Sequence, residues 1–388
     1  MKIFHISDLH IGKQLHYYSL SEEQRYILSR IADKAEEYRP DVILIAGDIY
    51  DKSVPSGEAY EIFDEFLNHL ADIRPSIPVL IIAGNHDNAK RLKYAGAFLE
   101  RQNIYISVLP PQEKNEFLKR IVLTDEYGEI NFYLLPFTKP GYVRQLFGDS
   151  EIQDYNGAVK ALIGRERIDW SKRNVLLAHQ FFVSGGQEPD KCGSELNYIS
   201  VGGIDSVDVE CVRKFDYVAL GHLHGEQAIG GPHIRYSGTP MKYSVSEEKH
   251  VKGITMVTLG AKGSEIEYER IPLVMARDVR RIEGTLEEVI AQAAEDNRDD
   301  YVSITLTDEE SLYRPKDQLE EHYTRILEVR LENRNIRSRL SRMEEPGEHL
   351  EPLAAFAEFY QVMHDQPISE KEIKVMTEII SELKNARE

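Results

Sequence analysis

The chain has few of the features that mark secreted, membrane-spanning or ATP-binding proteins. Only two of its 388 residues are cysteine, so no disulfide framework is expected and a reducing compartment is favoured. No apolar run approaches the roughly 18 residues of a membrane span, and the N-terminus has no apolar stretch of signal-peptide length. The G-x-x-x-x-G-K-[ST] loop is missing, so we expect no P-loop ATP site. These absences predict a cytoplasmic protein.

Negative charge is abundant but unevenly placed. The formal net charge is −19, which taken alone argues against a nucleic-acid partner. Residues 329–342 nevertheless carry five arginines and one glutamate, whereas the chain from 343 onward carries eleven acids and four bases. The arginine run is either a solvated helix face or a contact with a polyanion, and its composition leaves both readings open.

Residues 1–275 alternate short apolar runs with helical patterns. The runs are rich in Val, Ile and Leu and too short for helices, which is typical of strands covered on both faces; they are Lys2–Ser7, Asp41–Gly47, Pro78–Gly84, Asn174–His179 and Phe215–His222. Helices are predicted over Ser19–Tyr38 and Gly57–Ile73, between the first three strands. This order predicts an α/β fold with parallel strands and helices on both faces of the sheet. Hairpins are predicted at 119–137 and 226–238, and further strands at 253–260 and 265–273.

The pattern changes after residue 275. A small α+β domain is predicted over 276–342, with a helix (Thr285–Asp296), a strand (Tyr301–Thr307), a helix (Pro315–Leu327) and a strand near Val329–Leu331. A linker is expected at 343–351, and two amphipathic helices within 352–388. The second helix opens on a capping-box pattern, Ser369 to Glu372. These helices either bind a partner or pack back on the main body.

Each predicted strand of the first part is followed by residues that can bind a metal. In chain order these residues are Asp8, His10, Asp48, Asn85, His86, Asp87, His179, His222 and His224. Ligands of open α/β sheets collect at the carboxyl ends of the strands, so these side chains are expected to meet. Any one of them could be a helix cap or a turn. Five strand ends that all carry metal-binding residue types are not expected by chance.

The residue types predict a pair of transition-metal ions. Asp8 and His10 are two residues apart and would share one side of an extended segment; by the same rule His222 and His224 either clasp one ion or divide between two. Asp48 could bridge two ions through its two oxygens. The mixed nitrogen and oxygen set suits Mn²⁺, Fe²⁺ or Zn²⁺ better than Mg²⁺ or Ca²⁺, and the set contains no cysteine, which argues against a structural zinc site. A set of this size is too large for one tetrahedral ion and suits two, the arrangement that supports phosphoester cleavage.

The ordered blocks SDLH, AGD, GNHD, LLAH and GHLH resemble the calcineurin-like metallophosphoesterase superfamily. The longer segments HISDLHIGKQL, GDIYD, GNHDNAKRL and YSGTPMKYSVSE are similar to its double-strand-break repair nucleases. The resemblance implies a β-sandwich flanked by helices, a small α+β capping domain and C-terminal helices. It implies one metal held by Asp8, His10, Asp48 and His224, and a second held by Asp48, Asn85, His179 and His222. Mn²⁺ is the implied ion, with Fe²⁺, Zn²⁺ or Mg²⁺ as alternatives.

The resemblance also implies roles beyond the ligands. His86 would stabilise the transition state or protonate the leaving oxygen, and Asp87 would orient His86 from behind. The implied activities are a 3′→5′ exonuclease on duplex DNA and an endonuclease on single strands and hairpins. DNA would lie against the arginine run, of which we select Arg330, Arg334, Arg337 and Arg339.

The resemblance further implies two protein partners. The C-terminal helices would bind an ABC-type ATPase, and a homodimer would form through 60–70 and 92–101, giving a heterotetramer associated with the nucleoid. The rival hypotheses are a metallophosphoesterase that acts on phosphoproteins or small nucleotides, and a non-catalytic scaffold. The scaffold is disfavoured because such relatives usually lose ligands that are all present here.

Overall fold

The computed structural model describes residues 1–147, 152–193, 206–295, 298–309, 312–332, 352–364 and 367–385. The chain divides into two compact units, Met1–Val279 and Arg280–Glu388. The finer division of the second unit into a capping domain, a linker and terminal helices stays a prediction.

The first unit consists of short strands and the helices that connect them. Its strands are β1 (Lys2–Ile6), β2 (Gln14–Leu15), β3 (Tyr18–Ser19), β4 (Val42–Ala46), β5 (Val79–Ile82), β6 (Ile104–Ser107), β7 (Lys119–Asp125), β8 (Gly128–Leu135), β9 (Arg173–His179), β10 (Phe181–Val183), β11 (Ser206–Asp208), β12 (Tyr217–Gly221), β13 (Gln227–Ala228), β14 (Ile234–Tyr236), β15 (Gly253–Thr258) and β16 (Glu267–Pro272). Its helices are α1 (Ser21–Tyr38), α2 (Gly57–Asp72), α3 (Ala89–Leu92), α4 (Gly96–Leu99), α5 (Pro140–Phe147) and α6 (Tyr155–Arg165).

These strands form two main sheets rather than one. The first has the order β16-β15-β1-β4-β5-β6, and the second has the order β13-β14-β12-β9-β8-β7. Apolar side chains from both sheets belong to one buried cluster, so the inner faces pack on each other. The outer face of the second sheet packs against α5 and α6. The prediction of helices on both faces of one sheet was therefore wrong, and the β-sandwich implied by the resemblance is confirmed.

The strands that carry the candidate ligands are parallel within each sheet. In the first sheet β1 pairs with β4, and β4 pairs with β5. In the second sheet β9 pairs with β12. The predicted hairpins are also confirmed: β7 and β8 pair antiparallel, as do β13 and β14. The last two strands, β15 and β16, extend the first sheet beyond β1.

Helix α2 shows why the helices could be predicted from the sequence. Its apolar residues recur at helical spacing from Ile62 to Leu70 and are buried. Ser56 caps its first turn, because its Oγ accepts a hydrogen bond from the Ala59 N–H at 3.2 Å. The predicted helix over Gly57–Ile73 is confirmed to within one residue, and α1 begins two residues later than predicted.

The second unit contains the predicted small α+β arrangement. Its elements are β17 (Val279–Gly284, whose first residue ends the first unit), α7 (Leu286–Glu295), β18 (Tyr301–Leu306), α8 (Pro315–Glu320), β19 (Arg325–Leu331), α9 (Pro352–His364) and α10 (Glu370–Asn385). The sheet order is β17-β18-β19, and β18 and β19 are parallel.

One predicted helix of this unit was too long. The helix predicted over Pro315–Leu327 ends at Glu320, and the chain enters a strand at Arg325. The side chain of Tyr323 is buried in the core between them, where its hydroxyl donates to the Val289 carbonyl at 2.8 Å. Tertiary packing therefore overrides the local helical pattern here.

The two predicted C-terminal helices are present as α9 and α10. The capping box that opens α10 is confirmed, since the Ser369 N–H donates to the Glu372 carboxylate at 2.9 Å and the Glu372 N–H donates to the Ser369 hydroxyl at 3.4 Å. Tyr360 of α9 also donates to Glu372, at 2.6 Å. None of the described helices is long and apolar enough to cross a bilayer.

Candidate metal centre

The candidate ligands meet where strand ends of the two sheets face each other. His179 is the last residue of β9, and its Nδ1 donates to the Ala46 carbonyl of β4 at 2.7 Å. The sheets approach so closely here that glycine is required: a Cβ at Gly221 would collide with the Ala46 carbonyl, and one at Gly84 would collide with the Asp48 carboxylate. The glycines of the AGN and LGH blocks thus allow the ligands to converge.

The backbone of the ligand-bearing turns is left-handed. Asp8, His10 and Asp48 have φ values of 54°, 43° and 50°. Such conformations cost a non-glycine residue about 1–3 kcal/mol and cluster at functional sites. They are held by backbone hydrogen bonds, from Asp8 N–H to the Gly47 carbonyl and from His10 N–H to the Asp48 carbonyl, both 3.0 Å. Asp8 and His10 were expected to share one side of an extended segment, and this geometry was wrong, because both follow β1 with left-handed backbone.

Asp48 is the residue common to two groups of ligand atoms. One group contains Asp8, Asp48 and His179, and the other contains His10, Asp48 and His86; within each group the ligand atoms lie within 4.8 Å of one another. Asp48 Oδ2 is 3.4 Å from His179 Nε2 and 3.8 Å from His10 Nε2. The central position expected for a bridging carboxylate is therefore observed.

Electrostatics keep Asp48 ionised in this buried position. Burial alone would raise the pKa of Asp48, but the adjacent imidazole of His179 holds it well below the ordinary aspartate value. Burial raises the pKa of Asp8 to about 6, although nearby histidines oppose the shift. Both carboxylates are 2% exposed or less, so hydrogen-bond donors and nearby cations must offset the loss of hydration.

Asn85 joins two of the histidines. Its Oδ1 accepts hydrogen bonds from His179 Nε2 and from His222 Nδ1, each at 3.0 Å. His179 thus donates through both ring nitrogens, which is the pattern of a protonated imidazole. Burial would lower the pKa of His179, but Asp48 and Asp8 raise it to about 9.

His10 and His224 lie on the other side of Asp48. Their ring centroids are 5.1 Å apart. Burial lowers the pKa of His10 well below its ordinary value, so the ring is neutral. His222 contacts Asn85 whereas His224 contacts His10, which favours the alternative in which the two histidines divide between two ions.

The donor set fits a metal on physical grounds. His10 is buried, and within the described part of the chain neither of its ring nitrogens has a hydrogen-bond partner. An unsatisfied buried polar group costs about 1–3 kcal/mol. A cation among these imidazoles and carboxylates would satisfy His10 and neutralise Asp8 and Asp48 together.

His86 is half-buried beside this set. Its Nδ1 donates to the Asp51 carbonyl at 2.7 Å, and its backbone N–H donates to Asp48 Oδ1 at 2.9 Å. Nδ1 therefore carries a proton. The ring lies 4.9 Å from that of His10, close enough to act on a group bound at the ligand set.

Asp87 makes a different contact from the one expected. Its carboxylate accepts the backbone N–H groups of Ile49, Tyr50 and Gly84 at 2.8–3.1 Å. It fastens the loop after β5 to the loop after β4. Any influence of Asp87 on His86 therefore passes through the backbone of this loop.

The chain matches two family models. Residues 1–226 match the calcineurin-like phosphoesterase model, and residues 275–364 match a model described as the type 5 capsule protein repressor C-terminal domain. Two curated relatives are each named as the SbcD component of the SbcCD nuclease. The protein from Staphylococcus epidermidis is 34% identical and that from Staphylococcus saprophyticus 33% identical, each over 84% of this chain and 84% of its own. The chain belongs to the SbcD branch of the calcineurin-like phosphoesterases.

One solved structure can be aligned with part of this chain. The protein TT1561 of Thermus thermophilus covers 69% of this chain and 98% of its own, with 11% identity and a TM-score of 0.39. Membership of the calcineurin-like phosphoesterases implies divalent metal ions, and the groups around Asp48 are residues of this SbcD-branch chain that could hold them.

Some residues of the phosphoesterase site were missed by sequence reasoning. Glu247 is buried and accepts a hydrogen bond from His224 Nδ1 at 3.0 Å. The ligand atoms of Cys192, His224 and Glu247 also lie within 4.8 Å of one another, although no cysteine was expected near the set. The only signal was that Glu247 ends the YSGTPMKYSVSE block, where nothing in its spacing indicates a contact with His224.

Of the four arginines selected as candidate DNA contacts, one lies among the residues that the structure describes. Arg330 is exposed near the end of β19 and pairs with Glu328 at 2.9 Å. Arg334, Arg337 and Arg339 lie outside the described residues.

Proposed function

We propose that the chain is the metal-dependent nuclease subunit of a DNA repair and recombination complex, and that it hydrolyses phosphodiester bonds. The observation that carries the proposal is the gathering of six other candidate ligands around Asp48, with His86 beside them. The names of the curated relatives support DNA as the substrate.

Two divalent ions would occupy the site. Asp8, His10, Asp48 and His224 would hold one, and Asp48, Asn85, His179 and His222 would hold the other. We propose Mn²⁺, with Fe²⁺, Zn²⁺ or Mg²⁺ as alternatives. When bound, such a pair lowers the pKa of a water and neutralises charge on the phosphoryl oxygens.

His86 is proposed to supply the proton that the leaving oxygen needs. Its Nδ1 is committed to the Asp51 carbonyl, so protonation at Nε2 makes that nitrogen the acid that faces the phosphodiester. The Asp48 carboxylate accepts the His86 backbone N–H and so keeps the ring next to the ligand set. Asp87 holds the loop that carries His86.

DNA and protein partners follow from the same proposal. The activities would be 3′→5′ exonuclease on duplex ends and endonuclease on single strands and hairpins, with Arg330 and its neighbours contacting the DNA backbone. Exposed apolar side chains of α9 and α10 support the binding of an SbcC-type ATPase; Phe359 is 43% and Val375 54% exposed. The complex would act in the cytoplasm, at the nucleoid.

A homodimer through segments 60–70 and 92–101 is supported by exposed aromatic side chains. Tyr94 is 84% exposed and Phe98 is 62% exposed. Tyr94 lines a groove with Tyr60 and Leu67 of α2, and Phe98 lies within α4. Large exposed apolar groups of this kind mark protein interfaces.

The rival function is hydrolysis of a phosphoester other than DNA. It shares the ligand set, so it differs only in substrate. We would measure Mn²⁺-dependent cleavage of a hairpin DNA and release of phosphate from a small aryl phosphate, with the ATPase partner present. Preference for the aryl phosphate, with no DNA cleavage, would favour the rival.

The test of the catalytic assignment is His86→Gln in the same assay. We expect turnover on DNA to fall by roughly 10²–10⁴-fold, the usual contribution of a general acid, while metal content stays unchanged. His233→Gln is the matched control, because His233 lies in the turn between β13 and β14, where its ring donates to the Arg213 carbonyl at 3.2 Å. Retained cleavage by His86→Gln would contradict the role of His86.

A further inference from the structure

A buried carboxylate lies directly behind one candidate ligand. Glu247 sits at the end of a short 3-10 helix, Val245–Glu247, and its side chain is fully buried. Its Oε1 accepts the hydrogen bond from His224 Nδ1 at 3.0 Å. Because a carboxylate only accepts at this distance, His224 carries its proton on Nδ1.

Glu247 is itself held by a buried cation. Lys252 Nζ donates to Glu247 Oε2 at 2.6 Å, to Thr239 Oγ1 at 2.6 Å and to the backbone carbonyl of His224 at 3.0 Å. The Thr239 hydroxyl in turn donates to Glu247 Oε2 at 3.2 Å. Lys252 thus supports both the side-chain partner and the backbone of His224.

This network is costly as a purely structural feature. Lys252 is 4% exposed and Glu247 is 0% exposed, and removing two charges from water is offset only with good geometry and further hydrogen bonds. Apolar side chains of similar volume would fill the same space without that cost. The network does, however, have the form of the carboxylate–histidine–metal arrangement, in which an outer carboxylate fixes the tautomer and orientation of a ligand.

We propose that Glu247, held by Lys252 and Thr239, is a positioning residue that fixes His224 as the Nδ1–H tautomer, so that the Nε2 lone pair is available to a metal ion. The inference rests on the metal site of the proposed function, since it assigns a role toward that ion. It needs no ion to be tested, because the tautomer is a property of the metal-free chain.

The first measurement uses the full chain after treatment with EDTA. Nitrogen-15 NMR of labelled histidines reports which ring nitrogen carries the proton, and the His224 signals are identified by their loss in His224→Gln. We expect the Nδ1–H tautomer in the wild type and a shift toward Nε2–H in Glu247→Gln. Glu248→Gln is the matched control, since it removes the adjacent carboxylate and should leave the tautomer unchanged.

The second measurement is titration with Mn²⁺ alone, followed by EPR. The wild type should bind two ions, and Glu247→Gln should weaken one of them by about 10–100-fold, the usual effect of losing an outer partner of a ligand. Thr239→Val should weaken the same ion less, and Thr239→Ser should restore it. This pair keeps the inference testable if Glu247→Gln does not fold.

The outcomes separate the inference from the proposed function. An unchanged tautomer, or equal weakening of both ions together with a lower melting temperature, would overturn the inference. Loss of the same ion in Cys192→Ser would also overturn it, because Glu247 and Cys192 would then bind an ion themselves. If the wild type binds no ion while Glu247→Gln still shifts the tautomer, the proposed function is contradicted, and the assignment that Glu247 fixes the tautomer of His224 is supported.

Discussion

The two sides of Asp48 satisfy their polar groups in different ways. In what we call the Asn85 side (Asn85, His179 and His222), the side chains bind one another, with both imidazoles donating to Asn85 Oδ1 at 3.0 Å. In the His224 side (His10 and His224), the rings do not share an acceptor: His224 is anchored on Glu247, and His10 has no hydrogen bond at either ring nitrogen among the described residues.

This difference separates two ways of preparing a metal site. An ion entering the His224 side meets the neutral imidazole of His10, because burial keeps its pKa low. An ion entering the Asn85 side must displace a proton and two hydrogen bonds, because the pKa of His179 is raised to about 9. We therefore expect the His224 side to fill first and the Asn85 side to depend more strongly on pH.

The largest expected effect comes from removing the residue that the two sides share. Asp48→Asn keeps a side-chain oxygen for the His86 N–H but loses the charge between the ions. We expect both ions to bind more than about 100-fold more weakly, since even outer partners of ligands are worth 10–100-fold. Metal analysis after gel filtration measures this. Loss of only one ion would mean that Asp48 belongs to one side alone.

The next effect separates the sides by pH. The folded-state pKa of His179 is raised, so its proton is bound below about pH 9 and competes with the ion there. Lowering the pH from 9 should weaken the Asn85 side by up to tenfold per pH unit. Below about pH 6 protonation of Asp8 should weaken the ion of the His224 side, which Asp8 is proposed to hold. The His10 ring gives no such competition in this range.

Calorimetry in buffers of different ionisation enthalpy measures the protons released. At pH 7.5 we expect about one proton to leave with the ion of the Asn85 side and few with the ion of the His224 side. Equal numbers of protons released with the two ions would contradict the proposed difference between the Asn85 side and the His224 side.

A smaller effect tests whether the difference in metal binding between the two sides comes from their local geometry or from the stability of the whole fold. Ser56→Ala removes the cap of α2 and should lower the free energy of unfolding by about 0.5–2 kcal/mol. Both ions should bind as in the wild type, because the cap contacts no candidate ligand. Thermal unfolding in EDTA and Mn²⁺ titration measure the two quantities. Selective loss of one ion would show that its side depends on fold stability alone.

The Asn85 side was easier to predict from the sequence than the His224 side. Asn85 and His179 directly follow or end apolar runs, so the position of a strand predicts the position of the ligand. The partners of His224 come from a short 3-10 helix and a loop, where no periodic pattern exists. The Glu247–His224 contact joins residues that only the folded chain brings together.

For the fold, too, the sequence predicted the local elements but not the long-range contacts between them. Local patterns located the strands and helices of the first unit, but they did not show that β1 and β9 belong to different sheets. Strand pairing is a long-range choice, and buried strands of either sheet have the same apolar composition. In the second unit, Tyr323 was read as part of a helix because its burial against Val289 is also a long-range contact.

The most direct test of the account is the number and coupling of Mn²⁺ ions in the wild-type chain. Two ions that share Asp48 should lie about 3.5–4 Å apart. The account predicts two bound ions at saturation with an EPR spectrum of an exchange-coupled pair. One ion per chain, or two ions with the spectrum of isolated Mn²⁺, would contradict it.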